Sequence, residues 1–404
     1  MTAISASALL LACPPIPIVR IGLIGLGERG LKTLKRYSYI DGAEIRAIAD
    51  LKQENLQKAT DILKNSNRPE ATCYITSDGW KKICERDDID LVYICTEWDS
   101  HTSISVYAMQ HGKHVAVEVP AASTLEECRL LVSTAEQTRR HCFMTENCCY
   151  DLFALSTLEM KGQGLFGDIT HLEGAYIHNL RSHLGIESQA ASQTSTKTWM
   201  ETCCATHDGN PYPTHGMGPI GWLLNLHRGD RMDYLVSLTS KGEGTDHLLG
   251  KINSTLIRTV QGKSILLQFD ITTPRPYNRL QTICGTKGFA QKYPIPTFQF
   301  EDAEPLIGDA ALQKAELFET SKAAKCWHEG KKLGVENEMN YAMDRRLIHC
   351  LHEGLPLDID VYDAAEWSCI SELSKISAQQ GSRPVKVPDF TNGHWQDLNG
   401  FKFF

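Results

Sequence analysis

Residues 18–30 read IVRIGLIGLGERG: a run of apolar residues that ends in three glycines, Gly25, Gly27 and Gly30, at G-x-G-x-x-G spacing. The order is strand, tight turn, helix, because a helical pattern follows from Arg29 to Tyr39. Each glycine has a separate job in such a turn. The first permits the sharp bend, the second lets backbone approach a pyrophosphate, and the third allows helix and strand to pack closely. The helix N-terminus then faces the phosphates, with Glu28 and Arg29 at its cofactor edge. Asp50 closes the next strand, AEIRAIAD, twenty residues past Gly30. An acid there binds a ribose 2′-hydroxyl and repels a 2′-phosphate, which favours NAD over NADP.

Working outward, the strand–helix alternation continues. Leu51 to Lys64 has helical periodicity, DLVYICT and KHVAVEV are buried strands, and Ser100 to Gln110 is the helix between them. HCFMTEN reads as a further strand of the same sheet. Apolar strands separated by helices mean a parallel sheet covered on both faces, hence a Rossmann domain over residues 18–147 behind an N-terminal arm of residues 1–17. Ligands bind at the carboxyl ends of such strands. That edge holds Trp98, His101, Glu118, Val119 and Asn147, with Glu118 placed for the nicotinamide ribose. His101 reads equally well as a helix-start residue without a ligand role. Val119, beside the acid, can neither take nor give a proton.

Beyond Asn147 the pattern changes. After a helix from Tyr150 to Lys161, alternating strands occur at DITHLEGAYIHN, RMDYLVSLTS, NSTLIRTVQGKSILLQFDITT and RLQTICGTKGFAQKY, with hairpin turns at Gln261-Gly262 and Lys287-Gly288. Residues 148–404 therefore form an α+β domain with an open, mostly antiparallel sheet. Its helical segment, about residues 338–379, is expected to pack back on the Rossmann domain. Ser188 to Thr198 and the KGEGTDH stretch from Lys241 read as loops.

Bulk composition narrows the partners. The 404 residues carry a net charge of -8, with 42% hydrophobic and 22% charged residues. That balance argues against nucleic acid, and no apolar run reaches the roughly 20 residues of a membrane span. The N-terminal SALLLACPP places Cys13 after Leu-Leu-Ala, as in a lipoprotein site, yet no Lys or Arg precedes it, which favours a plain leader arm. The 14 cysteines show no C-x-x-C and no zinc spacing along the chain, so no metal is expected and reduced core thiols are.

The densest unusual stretch is GNPYPTHGMGP, Gly209 to Pro219. Its prolines and glycines constrain a loop around Tyr212, Pro213, Thr214 and His215, which can hold two polar rings at little entropic cost. EGAYIHNLR adds Tyr176 and Arg181, and MTENCCYD puts Glu146 and Asn147 at the edge between the domains.

These motifs carry a resemblance. The glycine-rich domain followed by a mixed-sheet domain resembles the glucose–fructose oxidoreductase and inositol dehydrogenase superfamily, whose dehydrogenases carry a lysine in a Glu-Lys-Pro motif. Here Glu118-Val119-Pro120 stands instead. Together with MTENCCYD, GLFGDITHLEGAYIHNLR, GNPYPTHGMGP, NLHRGDRMDYLVS and PRPYNR, this resembles glycoside hydrolase family 109, the NAD-dependent α-N-acetylgalactosaminidase-like proteins, from about Ile18 to Lys386. The resemblance implies a redox-neutral, retaining hydrolysis. NAD, tightly held, oxidises the sugar at C3; loss of the C2 proton expels the aglycone from C1; water adds, and the hydride returns. It implies His215 and Tyr176 as the proton-transfer groups at C2 and C3, in an order left open, and Glu146 as an aid to water or leaving group. It further implies that Arg181, Tyr212 and Tyr293 bind sugar and that Asn147 binds the cofactor. Where the family pattern has an arginine after the insert-loop tryptophan, this chain has Trp199-Met200, a departure that bears on glycoside preference.

Three functions follow as candidates: an NAD-dependent glycosidase acting on a glycoside or glycan terminus, a sugar oxidoreductase, and a sugar-sensing regulator. The missing lysine weighs against the second, and the joint presence of Glu146, Tyr176, Tyr212 and His215 against the third. A homo-oligomer, a dimer built on the open sheet face, is expected by analogy. A cofactor-loaded enzyme is exported only by a route for folded proteins, and no twin-arginine signal is visible, so cytoplasm and bacterial periplasm or cell surface stay open.

Overall fold

The computed structural model describes residues 13–184, 198–242 and 248–397. The arm before residue 13, the expected loop from Ser188 as far as Lys197, and Glu243 to His247 of the KGEGTDH stretch lie outside the described residues.

The first sheet is parallel, in the order β3-β2-β1-β4-β5-β6. Its strands are β1 (Val19–Ile24), β2 (Ala43–Ala49), β3 (Thr72–Tyr74), β4 (Leu91–Ile94), β5 (His114–Val117) and β6 (Cys142–Met144). Helices α1 (Glu28–Tyr37), α2 (Gln53–Asn65), α3 (Gly79–Cys84), α4 (Trp98–Gln110) and α5 (Leu125–Thr138) connect them. Every residue of β4 and β5 is buried, which is why these strands read as unbroken apolar runs. Strand order reverses between β1 and β4, and that reversal opens the crevice in which such sheets bind ligands.

After helix α6 (Leu152–Gly162), the second sheet runs β14-β13-β12-β11-β7-β10-β9-β8-β15. Its strands are β7 (Ile169–Ile177), β8 (Met232–Ser240), β9 (Ile252–Thr259), β10 (Ser264–Asp270), β11 (Asn278–Gly285), β12 (Gly288–Gln291), β13 (Thr297–Phe300), β14 (Leu306–Ile307) and β15 (Val385–Lys386). Only β7 and β10 pair in parallel; the other neighbours are antiparallel. Gln261-Gly262 turns β9 into β10, and Lys287-Gly288 turns β11 into β12. Burial alternates along β9, with period two, because one face packs on helices and the other is open. Leu238 and Leu256, 61% and 52% exposed, stand on the open face.

The remaining helices are α7 (Trp199–Thr206), α8 (Thr214–Leu223), α9 (Asp309–Glu316), α10 (Lys322–Leu333), α11 (Glu338–Glu353), α12 (Val361–Ser368) and α13 (Ile370–Gln379). α11 and α12 lie against the Rossmann domain. Asp344 of α11, fully buried, accepts 3.0 Å hydrogen bonds from Tyr93 Oη and Arg36 Nε. On α12, Ser368 Oγ accepts from the Ala121 N–H. These polar pins tie both domains together behind the crevice.

One expectation is corrected here. Gly209 to Pro219 is not a single constrained loop, because α8 begins at Thr214 and runs through Pro219. The glycines serve close approach instead. A Cβ on Gly216 would lie 2.7 Å from Ala175 N of β7, and one on Gly218 would lie 2.7 Å from Glu146 Cγ. The helix thus presses directly onto β7 and the end of β6.

Candidate active site

The crevice edge is built from five strand ends. After β1, Gly25 takes φ +86°, and a Cβ there would meet Cys95 O at 2.6 Å. A Cβ on Gly30 would fall 1.9 Å from Gly25 O, whereas one on Gly27 would meet nothing within 4 Å. Open space over Gly27, beside the unpaired N–H groups of the first turn of α1, is what a pyrophosphate needs. Asp50 ends the second strand and braces this turn. Its Oδ2 accepts from Leu26 N at 2.7 Å, and Oδ1 accepts from Lys52 N at 2.8 Å.

Glu118 is not free at the end of β5. Arg29 Nε donates to its Oε1 at 2.8 Å, and Arg29 Nη2 reaches Asn340 Oδ1 at 3.3 Å. Burial opposes the Arg29 charge, and the Glu118 carboxylate more than restores it. Val119 is buried in the core, so this strand end presents no proton-transferring side chain next to Glu118. Asn147 is nearly buried and opens a short turn after β6. His101, read as either a ligand-edge or a helix-start residue, lies in the first turns of α4. Its ring is wholly buried, with Nδ1 2.8 Å from Pro120 O and Nε2 3.0 Å from Thr96 O. Burial depresses its pKa, and it ties the β4 and β5 ends together.

Across the crevice a hydrogen-bonded chain links both domains. Glu146, completely buried after β6, accepts from His215 Nδ1 at 2.7 Å, and His215 Nε2 lies 3.0 Å from Tyr212 Oη. Burial disfavours both charges, yet the carboxylate, with Cys148 beside the ring, raises His215 to about 10, and the imidazolium holds Glu146 below its ordinary value. His215 therefore rests as a cation. Its Nε2–H donates to Tyr212, leaving the Tyr212 hydroxyl hydrogen for another acceptor.

Aromatic rings frame this chain. Tyr212 stacks on Trp98 at 5.1 Å, and Trp199 meets Trp98 edge-on at 5.1 Å. Tyr176 lies edge-on to Tyr212 at 5.0 Å and tilted over His215 at 5.1 Å. Burial pushes the Tyr176 and Tyr212 hydroxyls well above their ordinary pKa, so both keep their protons. Thr214 opens α8 and is fully buried, and Pro213 precedes it as the cap residue. Met200 packs at the margin of the same cluster. Arg181 sits further out, its Nε donating to Thr272 O at 2.6 Å.

Tyr293 joins the site through residues that sequence reading missed. A row of rings runs from Tyr176 to His178, Tyr277 and Tyr293, at 6.0, 5.1 and 5.9 Å. Arg279, nearly fully buried, donates to Tyr293 Oη at 3.3 Å and to Asp151 at 3.2 Å. His178 had a signal, since it is two residues from Tyr176 on one strand face. Tyr277 and Arg279 lie in the PRPYNR motif, but sequence reading gives a role to neither, because their partners lie on separate elements. Cys148 is the other omission: its Sγ lies 3.5 Å from His215 Nδ1.

Comparison with known proteins agrees with this architecture. Residues 19–146 match the model of the oxidoreductase family with an NAD-binding Rossmann fold, and residues 150–397 match the C-terminal domain of glycosyl hydrolase 109. An alpha-N-acetylgalactosaminidase of Bacteroides fragilis is 55% identical, over 96% of this chain and 95% of its own. A glycosyl hydrolase family 109 protein of Phocaeicola vulgatus is 51% identical, over 96% and 98%. Among solved structures, a levoglucosan dehydrogenase complexed with NADH and levoglucosan shares the fold at TM-score 0.69 and 17% identity, covering 92% of this chain and all of its own. A scyllo-inositol dehydrogenase of Lactobacillus casei does so at TM-score 0.66 and 14% identity, covering 91% and 99%. On the matched model and on relatives above half identity, the chain belongs to glycoside hydrolase family 109.

Proposed function

We propose that this protein removes terminal α-linked N-acetylgalactosamine, or a related hexose, from a glycoside, with NAD retained and regenerated in every cycle. The observation that carries the reading is the Glu146–His215–Tyr212 chain. It stands with Tyr176 across the crevice from the glycine cradle, where β5 offers Val119 and no lysine. The Bacteroides fragilis relative, named as an alpha-N-acetylgalactosaminidase, supports the sugar.

The glycine turn, Asp50 and the Arg29–Glu118 pair fit a dinucleotide, since the one open face of the turn lies at Gly27. Bound there, NAD supplies a hydride acceptor for the sugar C3 and a hydride donor at the end of the cycle. The chain's own residues handle protons. At rest both His215 N–H groups are committed, and the Tyr212 and Tyr176 hydroxyls are the donors suited to hold sugar hydroxyls in place. To take a proton from C2 or C3, His215 must first release the Nε2 proton, while its Nδ1–H stays on Glu146. A ring so paired is oriented and recharged by the carboxylate, as a general acid–base group requires. Trp98, Trp199 and Tyr212 wall the site against water.

A paired-carboxylate route fits poorly. Glu146 is buried behind His215, Glu118 is taken by Arg29, and Asp151 by Arg279 and Lys292. The dimer belongs to the same proposal, the open sheet face with Leu238 and Leu256 serving as the contact.

The test follows nitrophenol and NADH together during turnover of 4-nitrophenyl α-N-acetylgalactosaminide. Nitrophenol release with no accumulating NADH is expected. NADH accumulating without nitrophenol would replace the glycosidase with a dehydrogenase.

A further inference from the structure

Along the chain no cysteine–histidine set has zinc spacing, but folding makes one. Glu146, Cys148 and His215 bring a carboxylate oxygen, a thiol sulfur and an imidazole nitrogen within 4.8 Å of one another. The Cys148 Sγ to His215 Nδ1 separation is 3.5 Å. Two donors on one tetrahedral zinc, at about 2.3 Å for sulfur and about 2.0 Å for nitrogen, stand about 3.5 Å apart. Glu146 Oε1 is committed to His215 and to Cys148 N, whereas Oε2 is buried with only the Thr214 hydroxyl beside it. The His215 side chain keeps 11% of its surface exposed, while Glu146 and Cys148 are buried beside it.

We infer that Glu146, Cys148 and His215 form an inhibitory site for one zinc ion, closed to turnover when filled. The charge balance favours the exchange. The Glu146 carboxylate and the thiolate that Cys148 becomes on binding the metal together offset the dication in the buried site. Imidazole, thiolate and carboxylate are the donors zinc takes in proteins, and the fourth position is left for water. With Nδ1 on the metal, Glu146 no longer holds the ring as a cation. The inhibitory part rests on the proposed roles of His215 and Glu146; the metal site does not.

The test uses the NAD-loaded protein. Cobalt(II), added alone as a spectroscopic stand-in for zinc, is expected to give one equivalent of near-ultraviolet thiolate-to-cobalt absorption. Cys148→Ala and Cys148→Ser should both lose that band and weaken zinc inhibition by more than about tenfold. No band, a band that survives in both variants, or equal zinc inhibition of all three proteins would overturn the proposal. Because the band is read without turnover, its failure is distinct from failure of the glycosidase reading.

Discussion

Replacing Glu146 by Gln takes away the largest influence that keeps His215 protonated while preserving side-chain size. His215 Nδ1 is 2.7 Å from the carboxylate, and both groups are buried. The rise from 6.5 to about 10 corresponds to about 5 kcal/mol of preference for the protonated ring. Without the carboxylate burial still opposes the charge and only Cys148 supports it, so the ring in Glu146→Gln should titrate well below about 10. The catalytic rate is expected to fall by about 10²–10⁴-fold, the range for loss of a positioned acid–base group.

Stability should follow with a definite sign. His215 has a folded pKa above its unfolded one, so its contribution is complete below about pH 6.5 and lost as pH rises through about 10. Glu146 is lowered, so its contribution is present above its ordinary value of 4.5 and lost as pH falls further. The stability gap between wild type and Glu146→Gln should therefore be widest between about pH 5 and pH 6.5 and narrow toward pH 10. Urea unfolding across that range, with histidine-selective ¹⁵N NMR of both proteins, reads both effects. A wild-type His215 titrating near 6.5, or an imidazolium persisting above about pH 8 in the variant, would refute the reasoning.

Three further outcomes are expected. Gly30→Ala puts a methyl 1.9 Å from Gly25 O and should cost about 1–3 kcal/mol of NAD affinity by fluorescence titration; unchanged affinity would mean the cradle binds no pyrophosphate. Asp50→Ala removes a charged acceptor from Leu26 N and should weaken NAD binding by about 1.5–3 kcal/mol, while an unaltered Kd would end the ribose role. Asp344→Asn leaves Arg36 buried without its counter-charge and should lower unfolding free energy by about 3–5 kcal/mol, a prediction that a change below about 1 kcal/mol would sink.

Much of this was legible because certain residues have one physical use. Gly25, Gly27 and Gly30 behind a buried strand admit little besides a phosphate-binding turn, and β4 and β5 announce a two-sided parallel sheet by their unbroken apolar composition. Tyr176, Tyr212, Glu146 and His215 were singled out from scattered motifs, and they meet in one crevice. What stayed hidden depends on contacts between distant segments. Pro219 within α8 reads locally as a loop residue, and only the press of Gly216 and Gly218 against β7 and Glu146 explains a helix there. His101 looks like a ligand at a strand end until both its nitrogens are seen against carbonyls. The His215 charge is set by a residue 69 positions away, which periodicity cannot report.

The most direct measurement is cleavage of the glycoside in D₂O, with the released sugar examined by ¹H NMR. Elimination across C2 and C1 predicts deuterium at C2 and the original hydrogen kept at C3. A product with hydrogen retained at C2 would mean direct displacement at C1, and the account built on His215, Tyr176 and a regenerated NAD would be contradicted.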